Sequence, residues 1–431
     1  MIRFFYIILS YLAIPFLVLR LWIKSIHNPA YSDRIKERLA CFVRPQQPTD
    51  IWLHAVSLGE VIAAAPLITK LLDEYPNKNI VLTTTTPTGS QKAQALFAQA
   101  IKANRIFHIY SPFDTPCCTQ RFLTLTQPKL AIIMETEIWP NWFATCKAKN
   151  IPLFIANARL SERSQKGYKR IERLTAQTIN CVEQILAQTK EDAQRFVELG
   201  LQAEKVSVLG NIKFDLTVPS DIHENAKNFR SKFAEKNQCI WIAGSTHQGE
   251  EEIVLEAFKL IKETNATAKL ILVPRHPERF DKVAELSQKM GFNTVLRTAL
   301  ESQTSDTLAK MDVLLGNTIG EMLLFLAASD VAFVGGSLIT QGGHNILEPA
   351  ALYVPVIVGP HMFNFQKIYD EFTQAESIIT VTDAASLTQS VSSLFADPSL
   401  REEYASLGFK IIQQNQGALE KHLKVFRSYL S

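Results

Sequence analysis

Two doubly wound α/β domains in tandem, each a parallel sheet covered by helices, behind a membrane-associated N-terminal helix: this is the predicted fold, and three observations predict it. The chain has 431 residues, more than one hydrophobic core usually serves, so two domains of roughly 150 to 200 residues are expected. From about residue 50 onward, short apolar runs alternate with amphipathic helical segments, the pattern of parallel sheets covered on both faces. Ahead of them, Phe4 to Leu19 is an uncharged apolar run.

That run is about sixteen residues long, slightly short of the ~20 that cross a bilayer, and no small-residue cleavage signal follows it. Arg20, Lys24, Arg34, Lys36 and Arg38 come next, so an uncleaved anchor would leave the rest of the chain cytoplasmic. Pro15 and the shortness of the run fit a half-inserted or tilted helix as well as a span, and Trp22 suits the headgroup layer. A buried core helix is the plain alternative. In the first half, Ile51–Val56, Ile80–Thr85, Leu130–Met134, Pro152–Ala156, Ile185–Gln188 and Val206–Leu209 read as strands. Helices are expected over Ile62–Leu72 and over Ser90–Ala100, the latter capped by Ser90. A polar stretch from Thr217 to Asn237 separates the halves and holds a linker and the helix that opens the second domain. Six more strands follow, at Cys239–Ala243, Lys269–Val273, Asn293–Leu296, Val313–Leu315, Val331–Val334 and Val354–Val358, with a helix over Glu250–Ile261.

Composition excludes several classes. Hydrophobic residues make up 47% and charged ones 20%, ordinary globular usage with no tract that reads as disorder. A formal charge of +3 is too small to indicate a nucleic-acid binder. Six cysteines without a C-x-x-C pair fit a reducing compartment and read as small buried hydrophobes. Neither G-x-G-x-x-G nor a phosphate loop occurs, which weakens dehydrogenase and NTPase readings, and no D-x-D or H-E-x-x-H recruits a metal ion.

In such sheets ligands bind beyond the carboxyl ends of the strands, so chemistry is sought there. Glu60, in the first turn of a helix after the first strand, stands where the local positive potential favours an ionised carboxylate, as a general base or merely as a dipole partner. Glu135 and Glu137 follow the apolar run ending at Met134, and extended alternation would put both on one side, as a coupled pair or as caps and ion-pair partners. Arg159, Arg163, Lys166, Lys169, Arg170 and Arg173 form a basic run, suited to phosphates or to a solvated face. Lys213 lies near the domain junction, where it would meet a phosphate or a developing negative charge. In the second half, Arg275 and His276 stand between Pro274 and Pro277 as a rigid anion clamp. Gly316 to Met322, Gly335-Gly336-Ser337 and the run from Gly342 to Glu348 are glycine-rich approaches expected to offer backbone N–H groups to an anion. Asn345 and Glu348 also have the spacing of a capping box.

With the segments HAVSLGE, TTTTPTGS, METEIWPN, IANARLS, NIKFD, VPRHPERF, GGSLITQGGHNILEPAA and GPHMFNF in this order, the chain closely resembles the 3-deoxy-D-manno-octulosonic acid (Kdo) transferases over almost its whole length. The resemblance implies a GT-B architecture, with two Rossmann-like domains facing a central cleft. Its parts would be an anchor over residues 1–24, an acceptor-binding domain over 25–216 and a CMP-sugar-binding domain over 217–431, whose last helix can cross back. It implies an inverting, metal-independent transfer of Kdo from CMP-Kdo to the 6'-hydroxyl of a bisphosphorylated lipid A precursor, on the cytoplasmic face of the inner membrane, with no cofactor and no nucleic acid. It assigns Glu60 as the base and Glu135 and Lys213 as transition-state partners. Arg275, His276, Gly320, Glu321, Met322 and the run Asn345, Ile346, Leu347 and Glu348 fall to CMP. Two other classes share such architecture: nucleotide-sugar epimerases or hydrolases, and a two-lobed receptor or scaffold; the anchor speaks against both.

Overall fold

In the computed structural model, which describes residues 2–430, every strand belongs to one of two parallel seven-stranded sheets. The first holds β1 (Ile51–His54), β2 (Ile80–Thr84), β3 (Ile106–Tyr110), β4 (Leu130–Met134), β5 (Leu153–Ala158), β6 (Gln184–Ala187) and β7 (Val206–Val208), in the order β3-β2-β1-β4-β5-β6-β7. The second holds β8 (Ile240–Thr246), β9 (Lys269–Pro274), β10 (Thr294–Leu296), β11 (Val313–Leu315), β12 (Val331–Val334), β13 (Val356–Val358) and β14 (Ile378–Thr380), in the order β10-β11-β9-β8-β12-β13-β14. The chain forms two units, Met1–Asp215 with Asn415–Ser431, and Leu216–Gln414.

The near-continuous apolar runs follow from helices on both faces of each sheet. Successive side chains alternate between two cores: Trp52, Val81 and Ile133 enter one, and Leu53, Leu82 and Ile132 the other. The second core of the first unit is closed by the last helix, Ala418–Leu430, through Leu423, Phe426 and Leu430, with the Phe426 ring 5.4 Å from Phe154. Arg427 of the same helix pairs with Glu74 at 2.8 Å.

Several elements differ from the sequence reading. β3 and β14 were not expected; both are edge strands whose apolar runs are short or broken by polar residues such as His108 and Thr380. The helix expected from Ser90 begins earlier, at Pro87, because Thr86 accepts the Gly89 N–H and proline suits the first helical position; it ends at Leu96 and a short helix, Ala98–Lys102, follows. Ser90 is buried and accepts from Arg34. Cys41 and Cys117 are exposed, unlike the buried Cys118 and Cys146.

The N-terminal helix runs Ile2–His27, 26 residues, past the apolar run, because Arg20 and Lys24 continue it without a breaker; Pro15 lies inside it. At this length it can cross a membrane. One face, with Phe5, Leu9, Leu12, Phe16 and Ile23, is exposed, while Tyr6, Ser10, Ile14, Leu17 and Leu21 are half-buried. The Tyr6 hydroxyl donates to buried Asp114 at 2.7 Å, which also accepts the backbone N–H groups of Asn141 and Trp142.

Candidate active site

Strand order reverses beside β1 in the first sheet, whose neighbours are β2 and β4, and in sheets of this kind ligands bind beyond the carboxyl ends at that point. Glu60 follows β1 and Glu135 follows β4, so the topology brings these two carboxylates to one edge. Ser57 caps the helix Leu58–Glu74 and Glu60 is its third residue. The Glu60 carboxylate turns back to accept the Val56 N–H at 2.8 Å and the Ser57 hydroxyl at 3.1 Å. Burial, with the charges of Glu135 and Glu137 adding to it, pushes its pKa up to about 8 against the opposing Val56 N–H and Ser57 hydroxyl. The expectation that the helix terminus keeps this group ionised is thus overturned, because desolvation and two like charges outweigh the donors.

Glu135 and Glu137 do not alternate along an extended strand. The chain leaves β4 at Met134 and Glu135 takes φ +58°, a left-handed conformation costly for a side-chain-bearing residue. The turn buries the Glu135 carboxylate against two cations: Arg159 Nε at 2.6 Å and Lys213 Nζ at 3.3 Å. Glu137 accepts the Trp139 indole N–H at 2.6 Å, and burial, with the charge of Glu135 adding to it, raises its pKa, the coupling expected of the pair. Lys213 sits on a short 3-10 turn, Ile212–Phe214, capped by Asn211.

That turn is held by residues the sequence reading passed over. Asn157, at φ +51°, accepts the Ile212 N–H through Oδ1 at 3.1 Å, and its own N–H donates to His422 Nε2 at 3.1 Å. His422, buried in the last helix, binds the Ala418 carbonyl through Nδ1 at 2.7 Å, and burial holds its pKa down near about 4, so the ring is neutral with Nε2 free to accept. Asp215 accepts the N–H groups of Gly417 and Leu419. No local signal marks this network, since His422 lies 265 positions from Asn157. Of the basic run, Lys169 is paired with Glu198 and Arg159 with Glu135, whereas Arg163, Lys166, Arg170 and Arg173 have no ion-pair partner among the described residues.

The second unit repeats the reversal of strand order at β8, between β9 and β12. Arg275 and His276 follow β9; the Arg275 N–H donates to the Thr246 carbonyl at 2.9 Å, and its exposed guanidinium has no ion-pair partner among the described residues. His276 is half-exposed, 3.8 Å from the Glu278 carboxylate. Gly320 adopts φ +90° with open space around it, so backbone conformation rather than room requires glycine there. Glu321 pairs with Arg297 at 2.8 Å, and the Met322 sulfur lies 3.3 Å from where a side chain on Gly244 would begin.

Two expectations for this half are corrected. Asn345 is not the helix cap: Ile346 takes that position before a helix of five residues, Leu347–Ala351. Asn345 accepts the Leu347 N–H at 3.2 Å and its amide donates to Glu348 at 3.0 Å, an Asx-type turn in place of a capping box. Glu348 is held above the usual carboxylate range by burial, with Asn345 and Arg275 opposing. The Gly335-Gly336-Ser337 turn is not open to an anion. The fully buried Glu250 carboxylate already accepts the N–H groups of Gly336 at 2.6 Å, Ser337 at 3.0 Å and Leu338 at 2.9 Å, and that of His247 at 3.1 Å.

Comparison with known proteins identifies relatives of this arrangement. The sequence model of the 3-deoxy-D-manno-octulosonic-acid transferase family matches residues 33–216. A 3-deoxy-D-manno-octulosonic acid transferase of Haemophilus influenzae is 38% identical over 431 residues, 99% of each chain. One of Bordetella pertussis is 32% identical, covering 88% of this chain and 87% of its own. Among solved structures, a glycosyltransferase from Rickettsia africae covers 89% of this chain and 100% of its own at 14% identity, with a TM-score of 0.52. A UDP-GlcNAc 2-epimerase from Neisseria meningitidis covers 85% of this chain and 99% of its own at 15% identity, also with a TM-score of 0.52. At those identities the structures share the fold, GT-B-type paired Rossmann-like units, which hosts transferases and epimerases alike.

Proposed function

The chain belongs to the 3-deoxy-D-manno-octulosonic acid transferase family, and from that premise we propose that it moves Kdo from CMP-Kdo to the 6'-hydroxyl of a bisphosphorylated lipid A precursor, with inversion and without a metal ion. As a Kdo transferase it is a glycosyltransferase of lipopolysaccharide core biosynthesis, and its apolar N-terminal helix fits a membrane location. The finer reading places it on the cytoplasmic face of the inner membrane, in keeping with Arg20 and Lys24 after the apolar run.

The observation that carries the mechanism is the Glu60 carboxylate, half-buried at a strand end with its pKa raised to about 8. A base tuned near the working pH takes a hydroxyl proton effectively. As Glu60 removes that proton, the acceptor oxygen attacks the anomeric carbon from the face opposite the phosphate. The bond to phosphate breaks with its electron pair leaving on CMP, and the proton stays on Glu60. Lys213 and Arg159, fixed against Glu135, supply positive charge beside the reacting oxygen. Arg275, with no ion-pair partner among the described residues, suits the departing phosphate, and Arg163, Lys166, Arg170 and Arg173 suit the acceptor phosphates.

Glu60→Gln tests the assignment: turnover should fall on the order of 10²-fold or more, within the range for a lost general base, while CMP-Kdo binding persists. Retained transfer in this variant would sink it. NMR linkage analysis of the lipid product checks the acceptor position and the anomeric configuration, and transfer measured with and without added chelator checks metal independence.

A further inference from the structure

The most unusual polar contact in the second unit involves two side chains to which the mechanism gives no role. His247, after β8, and His344, after β12, approach through their Nε2 atoms at 2.8 Å. Their ring planes differ by 5° and their centroids lie 5.0 Å apart, roughly the bond length plus two ring radii. The rings therefore lie edge to edge in one plane, the geometry of an N–H···N hydrogen bond rather than a face-to-face stack. Such a bond uses one proton for two nitrogens. Whichever ring accepts at Nε2 carries its own proton on Nδ1, so at least one Nδ1–H is directed away from the pair. Neither Nδ1 has a hydrogen-bond partner among the described residues, and neither is a fully enclosed atom.

The surroundings hold this arrangement in place. Glu250 fixes both rings' supports at once, accepting the His247 N–H and the three N–H groups of the turn beneath His344. A Cβ on Gly336, at φ +69°, would stand 3.0 Å from His344 Cδ2, so only glycine leaves the ring its place. Ser245, two residues before His247, is held at φ +58°, and the buried Thr246 hydroxyl between them has no partner. Cations border the pair: Arg275 and Arg279 bear on His247 and Arg275 on His344, and the His276 ring lies 5.3 Å from that of His247. Burial, reinforced by these charges, holds both imidazoles below their usual range, which keeps the pair neutral and its single bridging proton in place.

We infer that the His247–His344 pair is an anion subsite of the donor, its outward Nδ1–H donating, beside Arg275, to an oxygen of the phosphate or of the sugar carboxylate. Both groups are anionic oxygens on one molecule, and a neutral donor set next to a free guanidinium accepts either. The inference rests on the proposed CMP-Kdo donor.

The test compares His247→Gln and His344→Gln with the wild type as full-length protein in detergent. Glutamine keeps a polar atom near the Nε2 position and removes the Nδ1 donor. Cytidine and CMP are titrated calorimetrically, and KM and kcat are measured for CMP-Kdo. Loss of a hydrogen bond to a charged group should weaken binding about tenfold. If CMP affinity falls while cytidine affinity holds, the phosphate is the partner; if only the KM for CMP-Kdo rises, the carboxylate is. His344→Asn, which restores a donor near Nδ1, should recover part of the loss. Affinities for CMP and CMP-Kdo within twofold of wild type in both glutamine variants overturn the inference. So does an equal loss for all three ligands, which marks a purely structural role. A wild-type chain that takes neither CMP nor CMP-Kdo overturns the donor reading, and the subsite with it.

Discussion

Glu60 serves two opposed requirements, since a base must lose its proton to act and must hold the one it receives. Burial and the charges of Glu135 and Glu137 set that balance, raising its pKa to about 8. The active form is the carboxylate, so kcat should rise with pH and level off above about 8, as a pH–rate profile with saturating substrates would show. The charge of Glu137 disfavours ionisation of Glu60, so Glu137→Gln should shift that limb to lower pH; an unmoved or alkaline-shifted limb contradicts the coupling. Glu60 was legible in the sequence as a first-turn carboxylate at a strand end, but its protonation was not. Helix position is local and can be read from spacing. Protonation depends on burial and on the charges of Glu135 and Glu137, which join Glu60 only through the adjacency of β1 and β4. Glu135 shows the same limit from the other side. The coupling expected between Glu135 and Glu137 is present, but it comes through a turn with Glu135 at positive φ and not through extended alternation, and nothing in the letters at that position announces the turn.

Among elements, the glycine turn after β12 shows how a pattern that signals anion binding can be satisfied from within. Glu250 contributes its carboxylate to four backbone donors, so Glu250→Ala would strand them in a dry interior. A stability loss of about 3 to 5 kcal/mol is expected by equilibrium unfolding, with a looser hold on His344. The first turn of the helix Glu250–Thr264 gives no hint of this, since acidic residues there are common. Strands covered on both faces were readable because they are uninterrupted apolar runs, whereas the edge strands β3 and β14 carry polar residues and were missed. The role of the last helix was least visible, as amphipathic spacing reveals a buried face but not what it is buried against. Phe426→Ala should cost about 3 to 5 kcal/mol through the cavity left beside Phe154, and a thermal melt would register it.

At the scale of the whole molecule, two sheets with a core on each face account for the length and composition from which two domains were expected. The N-terminal helix adds a third feature, with one apolar face uncovered and Tyr6 anchored to Asp114. Deleting residues 2–27 should sharply reduce sedimentation with anionic phospholipid vesicles; unchanged binding would show that other surfaces carry the association. The return of residues 415–431 to the first unit has a consequence for biosynthesis. A ribosome emitting this chain delivers Met1–Asp215 early, yet Leu423, Phe426 and Leu430, which seal one of that unit's cores, emerge only after everything between has been made. The first part of the protein to be translated is thus among the last to mature, and a premature stop near the 3' end of the message would injure the amino-terminal unit first.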